Sequence, residues 1–150
     1  MSPAPPVTFT LLKSARVPPS AAAKNDLHAL AGFVLRAEKV RGPIDLNLDL
    51  THPRRIQSLN RHFRGVDRST DVISFQNARP PRLEGDIAIN VRQAAGQARM
   101  VGHTLRREIR LLWIHGILHL LGYTDYEPKP RRRMFKRQNA LLRAWEKRRP

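Results

Sequence analysis

Two histidines and an aspartate are spaced along residues 115–125 as the ligands of one metal ion would be. His115 and His119 are four residues apart, so on a helix their rings project from the same face, one turn apart. Asp125 follows His119 by six residues, and Gly122 lies between them, where a glycine allows the chain to reverse direction. The pattern predicts a metal site with two nitrogen ligands and one oxygen ligand. Such a set leaves a coordination position open for water, as in catalytic metal sites.

The same residues permit a purely structural interpretation. Two helical histidines can be ordinary core residues, and Asp125 can cap a turn after Tyr123 and Thr124. Residues 111–120 are mostly Leu, Ile and Trp, however, and unpaired imidazole nitrogens buried among them would be costly. Burial among these residues favours a ligand role for both histidines.

The chemistry available to this site is limited by what the chain lacks. Gly116 occupies the position at which the His-Glu-x-x-His metallopeptidases carry their general base, so peptidase chemistry is disfavoured. The chain has no cysteine, so a metal ion would be held by His and carboxylate side chains. Glycine inside a helix is destabilising by about 1 kcal/mol relative to alanine. We expect Gly116 to allow close packing against a strand or a substrate.

An excess of basic residues indicates an anionic partner. Lys and Arg number 28 against 12 Asp and Glu, a formal net charge of +16. Residues 129–150 contain ten basic residues and one acidic residue, Glu146. Apolar residues recur there at helical spacing, which predicts a docked amphipathic helix whose charges face solvent or RNA. The apolar residues are Met134, Leu141, Leu142 and Trp145. The predicted RNA-binding residues are Arg131, Arg132, Arg133, Lys136 and Arg137.

Hydrophobic periodicity and the positions of Gly and Pro predict an α+β fold. Residues 44–50 alternate between apolar and polar, the period of a half-buried strand, and Thr104 is a candidate N-cap of the helix that carries both histidines. That helix is apolar on nearly all sides after Leu111 and is predicted to be buried centrally. Further strands are predicted at 7–12, 71–75 and 85–90, and helices at 21–39, 53–64, 91–100, 104–121 and 131–145. We expect a single domain, with a small mixed sheet of three to four strands packed with four to five helices.

The two ends of the chain are biased in composition. Residues 1–6 are predicted to be a Pro-rich flexible N-terminus and residues 146–150 a basic tail. Residues 79–81 are predicted to be a loop, and Pro128 and Pro130 are expected to delay the last helix.

The longest apolar run, residues 111–123, falls short of the roughly 20 residues that a membrane-spanning helix needs. With no secretory pattern at the N-terminus, we expect a cytoplasmic protein without a membrane partner.

Three blocks of sequence occur in a fixed order around the candidate site: LNRHFRGVDRSTDVISF at 59–75, GDIAI at 85–89 and HGILHLLGY at 115–123. They resemble the bacterial YbeY endoribonucleases, which are single-strand-specific, metal-dependent enzymes of rRNA maturation and ribosome quality control. By this resemblance, His115 and His119 are similar to two of the family's three zinc-ligand histidines, and Arg64 is similar to its functional arginine near the metal. The family usually has a histidine where Asp125 stands, although an aspartate oxygen also binds zinc.

The residues and the resemblance together predict a metal-dependent endoribonuclease acting on single-stranded RNA or rRNA, with the ribosome or a ribosomal subunit as partner. One Zn²⁺ per chain is expected on His115, His119 and Asp125, with Mn²⁺ or another divalent ion as an alternative. A metal-bound water would attack the phosphodiester, while Arg64 would hold the phosphate. Two alternatives remain open: a non-catalytic RNA- or ribosome-binding assembly factor and, less favoured, a metallopeptidase. Three polar residues of the matching blocks are interpreted as structural: Thr70, Asp71 and Asp86.

Overall fold

A computed structural model describes residues 5–78 and 82–148. These residues form four strands, five α-helices and one short 3₁₀ turn, Pro19–Ala21. The strands are β1 (Val7–Lys13), β2 (Ile44–Thr51), β3 (Val72–Ala78) and β4 (Leu83–Asn90). The helices are α1 (Lys24–Ala37), α2 (Pro53–Arg64), α3 (Val91–Val101), α4 (Leu105–Leu120) and α5 (Pro128–Arg148). The predicted fold, a small α+β domain with a mixed sheet, is confirmed.

The sheet has the strand order β1-β2-β4-β3. β1, β2 and β4 run parallel, with Leu46 of β2 opposite Phe9 on one side and Gly85 on the other. β3 lies at the edge and runs antiparallel to β4, with Val72 opposite Ile89. The alternation predicted for β2 is confirmed by its buried apolar residues, Ile44, Leu46, Leu48 and Leu50.

Helices cover the two faces of the sheet unequally. The main core lies between one face and helices α1, α4 and α5, and the Trp113 indole N–H donates to the Leu27 carbonyl at 2.9 Å, which joins α4 to α1. A smaller apolar cluster joins Ile56 of α2 to Ile73 and Ala88 of the sheet. Successive side chains of a strand point to opposite faces, so α2 lies across the sheet from α4.

α4 is the buried central helix that the sequence predicts. All of residues 112–118 are buried. The Thr104 hydroxyl oxygen accepts the Arg107 backbone N–H at 3.1 Å, which confirms the predicted N-cap. Beyond the end of the helix, Gly122 adopts a left-handed conformation with φ of 101°. That conformation turns the chain back toward the helix it has just left.

Three helix boundaries differ from the sequence predictions by three residues, and the others agree within two. α1 begins at Lys24 rather than at residue 21, because Pro19–Ala21 forms a 3₁₀ turn and Ala23 is extended. The expectation that Pro128 and Pro130 delay the last helix is wrong, since α5 begins at Pro128. Prolines are tolerated in a first turn because the N–H groups there have no intrahelical acceptor. α5 also continues through residues 146–148, which were predicted to be part of a tail.

Several predicted segments fall at the limits of the described chain. Pro5 and Pro6 precede β1 without helix or strand structure, whereas residues 1–4 of the predicted N-terminal segment lie outside the described residues. The predicted loop at 79–81 and the last two residues, 149–150, also lie outside them. In the part of the chain that the structure describes, no helix combines the length and the apolar character needed to span a membrane.

Candidate metal centre

The last two turns of α4 carry both histidines on one face. The ring centroids of His115 and His119 lie 4.8 Å apart, with their planes at 76°. His115 is buried and His119 is half-buried. The spacing of four residues therefore brings both imidazoles to a common point, as predicted.

The turn after α4 brings a carboxylate to the same point. The Gly122 N–H donates to the His119 carbonyl at 3.0 Å, and the left-handed glycine reverses the chain. Asp125 then faces α4 again. Its Oδ2 lies 3.4 Å from His115 Nε2, and its Oδ1 lies 3.5 Å from His119 Nε2. One carboxylate therefore faces both imidazoles.

His115, His119 and Asp125 form a cluster that could hold a metal ion. One ligand atom from each residue can be chosen so that the three lie within 4.8 Å of one another. Two imidazole nitrogens and one carboxylate oxygen suit zinc and similar divalent ions, and three protein ligands leave room for water or substrate. The structure thus brings together the three residues predicted as ligands.

Gln138 contacts the ring nitrogen of His115 that faces away from the cluster. No sequence motif predicted this contact. The Oε1 atom of Gln138, on α5, lies 2.6 Å from His115 Nδ1, and both side chains are buried. An amide oxygen only accepts, so Nδ1 carries the proton and the Nε2 lone pair faces the cluster. This is the tautomer of a histidine that ligates through Nε2. The available sequence signal was a glutamine on the buried stripe of α5, between Met134 and Leu141.

The surroundings of His119 favour its neutral form. Burial lowers the pKa of His119 below its ordinary value, and electrostatic repulsion by the His115 ring and the Arg64 guanidinium lowers it further. Asp125 raises the pKa but does not reverse the net shift. A metal ion binds the neutral imidazole, so the shift reduces the competition from protons.

Arg64 reaches the cluster from the end of α2. Gly65, with φ of 69°, ends this helix immediately after the arginine. The Arg64 guanidinium donates to the Ser74 carbonyl of the edge strand β3 at 3.2 Å, and its Cζ lies 6.0 Å from the centroid of the Phe75 ring. With the three cluster residues it lines a cleft of about 640 Å³. The structure therefore places Arg64 beside the candidate ligands.

Packing against the sheet explains Gly116. A Cβ atom at this position would lie 2.9 Å from two side-chain carbons of Ile87 and 3.2 Å from the Ser74 hydroxyl oxygen. The Ser74 hydroxyl also donates to the Gly116 carbonyl at 3.3 Å. Of the two causes expected for a glycine within this helix, the structure shows close approach to a strand.

The three polar residues interpreted as structural make contacts of that kind. The Asp71 carboxylate accepts the Val72 N–H at 2.8 Å and the Thr70 hydroxyl at 3.4 Å, at the start of β3. Asp86 accepts the side-chain amides of two asparagines, at 2.8 and 2.9 Å. Its neighbours Gly85 and Ile87 point to the α4 face, so Asp86 points to the opposite face, away from the cluster.

The predicted RNA-binding residues lie in the first three turns of α5. Residues 131–133 and Lys136 are exposed. The Arg131 guanidinium lies 5.3 Å from the Phe135 ring centroid, and the Phe135 ring stacks at 5.9 Å on His115. The exposed basic residues therefore begin close to the candidate metal centre.

Arg137 differs from the other predicted RNA-binding residues. Its guanidinium lies 2.6 Å from the carboxylate of Glu38, the C-cap residue of α1, which also accepts the Tyr123 hydroxyl at 2.6 Å. These contacts join α5, α1 and the turn after α4. The positive charge of Arg137 is thus engaged within the protein, and the structure does not group it with the exposed residues.

Comparison with known proteins finds relatives over most of the chain. A family model described as Endoribonuclease YbeY matches residues 12–146. A protein named Endoribonuclease YbeY from Roseiflexus sp. (strain RS-1) is 42% identical over 122 residues, which are 73% of this chain and 76% of the relative. A protein of the same name from Halalkalibacterium halodurans is 37% identical over 132 residues, which are 79% and 81% of the two chains. The solution structure of TM1509 from Thermotoga maritima matches with a TM-score of 0.62 and 28% identity, over 92% of this chain and 89% of that one.

Proposed function

The chain belongs to the YbeY endoribonuclease family, and from that membership we propose that it is a metal-dependent endoribonuclease that cleaves single-stranded RNA. We further propose that rRNA is the substrate and that the protein acts at the ribosome, in rRNA maturation and ribosome quality control. One observation carries the proposal: His115, His119 and Asp125 cluster beside the Arg64 guanidinium in a single cleft.

The donor set fits a divalent metal ion. Both histidines direct Nε2 at the Asp125 carboxylate, and Gln138 holds the proton of His115 on the opposite ring nitrogen. His115, His119 and Asp125 would hold the ion, which when bound would lower the pKa of a water molecule and polarise a phosphoryl oxygen. We propose Zn²⁺, and the carboxylate ligand makes Mn²⁺ a suitable alternative.

Arg64 is proposed to bind the scissile phosphate. One of its guanidinium nitrogens donates to the Ser74 carbonyl, which holds the planar group beside the cleft while the side chain remains exposed. A guanidinium presents paired N–H donors that match two oxygens of a phosphate. Its fixed positive charge would offset the negative charge that develops on the phosphoryl oxygens during attack.

The exposed basic residues of α5 are proposed to bind RNA phosphates outside the cleft. Residues 131–133 and Lys136 carry four positive charges on one part of the surface. Arg137 is expected to contribute less because it is paired with Glu38. Contacts of this kind raise the affinity for any RNA sequence and weaken as salt increases.

Two other functions would use the same fold. A non-catalytic RNA- or ribosome-binding assembly factor would need the basic surface but not turnover, and Asp125 in place of the family's usual histidine is the feature that favours it. A metallopeptidase would need a general base next to the first histidine, where Gly116 packs against Ile87 and Ser74. The peptidase is therefore the weaker alternative.

Metal analysis combined with an RNA cleavage assay tests the proposed function. We expect about one divalent ion per chain, cleavage of a single-stranded rRNA fragment but not of its duplex, loss of cleavage on chelation and recovery when metal is restored. His119→Ala removes a ligand and should lose both metal and cleavage. Met100→Ala, at an exposed position on α3, should change neither.

The same measurements separate the alternatives. Metal and RNA binding without cleavage would indicate the assembly factor, and cleavage of casein but not RNA would indicate the peptidase. RNA cleavage that survives both chelation and His119→Ala would refute the metal-dependent mechanism.

A further inference from the structure

Two aromatic side chains that flank Arg64 are largely exposed. The exposed fraction is 59% for Phe63 and 72% for Tyr126. Phe63 precedes Arg64 in the last turn of α2. Tyr126 follows Asp125 and lines, with Arg64 and His119, a small cavity of about 190 Å³. Phe63 lines a neighbouring cavity with Phe75 and Asp86, on the other face of the sheet at the edge strand β3. Aromatic rings gain most from burial, so an exposed ring on each side of Arg64 suggests that a ligand covers both.

Phe63 is held in place although it is exposed. Its ring centroid lies 4.6 Å from that of Phe75, with the planes at 46°. The His62 ring meets it edge-on, at 4.6 Å and 88°. Phe75 in turn lies next to Arg64, whose Cζ is 6.0 Å from its centroid. Because its neighbours fix the ring, a base that stacked on its free surface would require little further ordering of the protein.

Tyr126 provides the second ring, on the side of Arg64 that faces the metal-ligand cluster. Its centroid lies 6.4 Å from that of His119, with the planes at 44°. The residue belongs to the short segment 121–127, which α4 and α5 hold at both ends. It also lines the cleft that contains the metal-ligand cluster. A base on Tyr126 would therefore lie beside the candidate metal centre.

Further basic residues accompany Arg64. Arg61 is exposed on α2, two residues before Phe63, and Arg68 is exposed and lines the cleft together with Arg64 and Tyr126. Flat rings interleaved with guanidinium groups match a single-stranded nucleic acid, because bases stack on the rings while phosphates pair with the cations. The bases of a duplex are already stacked on one another, so a duplex offers no base face to such rings.

We propose that Phe63 and Tyr126 are base-stacking residues for single-stranded RNA, on either side of the phosphate that Arg64 binds. This inference rests on the proposed function and adds the feature that selects unpaired RNA. Every base has an aromatic face, so the two rings select single strands without selecting a sequence.

Equilibrium binding of a short single-stranded oligoribonucleotide tests the proposal. Fluorescence anisotropy is measured in a chelating buffer, so that cleavage does not interfere. Phe63→Leu and Tyr126→Leu should each raise the Kd by about 5- to 150-fold, the range for loss of one base–aromatic stack. An oligomer with the same phosphates but no bases should bind the parent and both variants equally. The salt dependence should be unchanged, because neither substitution removes a charge.

Conservative variants keep the test independent of folding. Tyr126→Phe and Phe63→Trp retain a ring and should bind like the parent, even where Phe63→Leu disturbs the packing of Phe75. Met100→Ala removes an apolar side chain that is 87% exposed on α3, and it should also bind like the parent.

If either leucine variant binds the oligoribonucleotide with the parental Kd, that residue is not a base-stacking residue. If the leucine variants bind the base-free oligomer more weakly by the same factor as the oligoribonucleotide, the proposal is wrong for both residues. Failure of the proposed function gives a different result. Binding would still depend on the rings, but restoring the metal would not restore cleavage.

Discussion

Replacement of Gln138 by leucine should weaken metal binding without altering any candidate ligand. The substitution removes the Gln138 oxygen, which lies 2.6 Å from His115 Nδ1 and accepts its proton, and replaces the amide with an apolar group of similar size. The ring is then free to change tautomer or to rotate, and the Nε2 lone pair faces the cluster for less of the time. Loss of such a hydrogen bond typically lowers metal affinity about 10- to 100-fold, or about 1.4–2.7 kcal/mol.

Competition with a zinc-binding dye at fixed pH measures this change. Gln138→Glu retains an acceptor oxygen and should bind zinc at least as tightly as the parent, because a carboxylate makes the imidazole more basic. Asn139→Leu makes the same type of change at the exposed neighbouring position of α5 and should have no effect. Parental zinc affinity in Gln138→Leu would refute the positioning role of Gln138.

Urea unfolding of the metal-free protein separates positioning from packing. A His115 N–H buried without an acceptor destabilises the fold by about 1–3 kcal/mol, so Gln138→Leu should also lower the free energy of unfolding. If Gln138 were only a packing residue, this free energy would fall while the Kd for zinc stayed the same.

Three further predictions concern the cleft and the basic surface. Arg64→Ala should keep the parental metal content but slow RNA cleavage about 10²- to 10³-fold in initial-rate assays; loss of metal would show that Arg64 supports the ligands instead. Replacing residues 131–133 with glutamine should weaken RNA binding uniformly across sequences and reduce the slope of log Kd against log salt by up to about 2, or about 0.7 per phosphate contact; an unchanged slope would return these residues to a merely solvated surface. Asp125→His should tighten zinc binding and move the rising limb of the pH–rate profile to lower pH, because a neutral ligand leaves more positive charge to acidify the water. Asp125→Ala should weaken zinc binding in the same titration, and parental affinity in this variant would assign Asp125 to the turn alone.

The candidate metal cluster could be predicted because its geometry is local. A helix brings residues four positions apart to one face, and a left-handed glycine after the helix returns the chain, so the positions of His115, His119 and Asp125 follow from short-range rules. The contact between Gln138 and His115 spans 23 residues and depends on how α5 packs on α4. Arg64 meets the cluster across a still longer separation, and family resemblance rather than spacing indicated it.

The helices and strands were predictable for a similar reason, whereas their arrangement was not. Alternation in β2 and the Thr104 cap are local signals, and both are confirmed. The insertion of β4 between β2 and β3 has no counterpart in the periodicity of any single segment. The error at Pro128 arose because proline opposes helix formation in the interior but is accommodated in the first turn.

The packing around Gly116 limits which enzymes can evolve from this protein by single mutations. Conversion to a His-Glu-x-x-His peptidase requires a glutamate at residue 116, where the first side-chain carbon would already meet Ile87 and Ser74. Making room for this side chain would require smaller residues on two strands at once, or movement of α4 away from the sheet. In the second case His115 and His119 would move with the helix. Intermediates along either route would lose stability before gaining a general base. This barrier separates the fold from peptidase chemistry even though the spacing of the two histidines is shared.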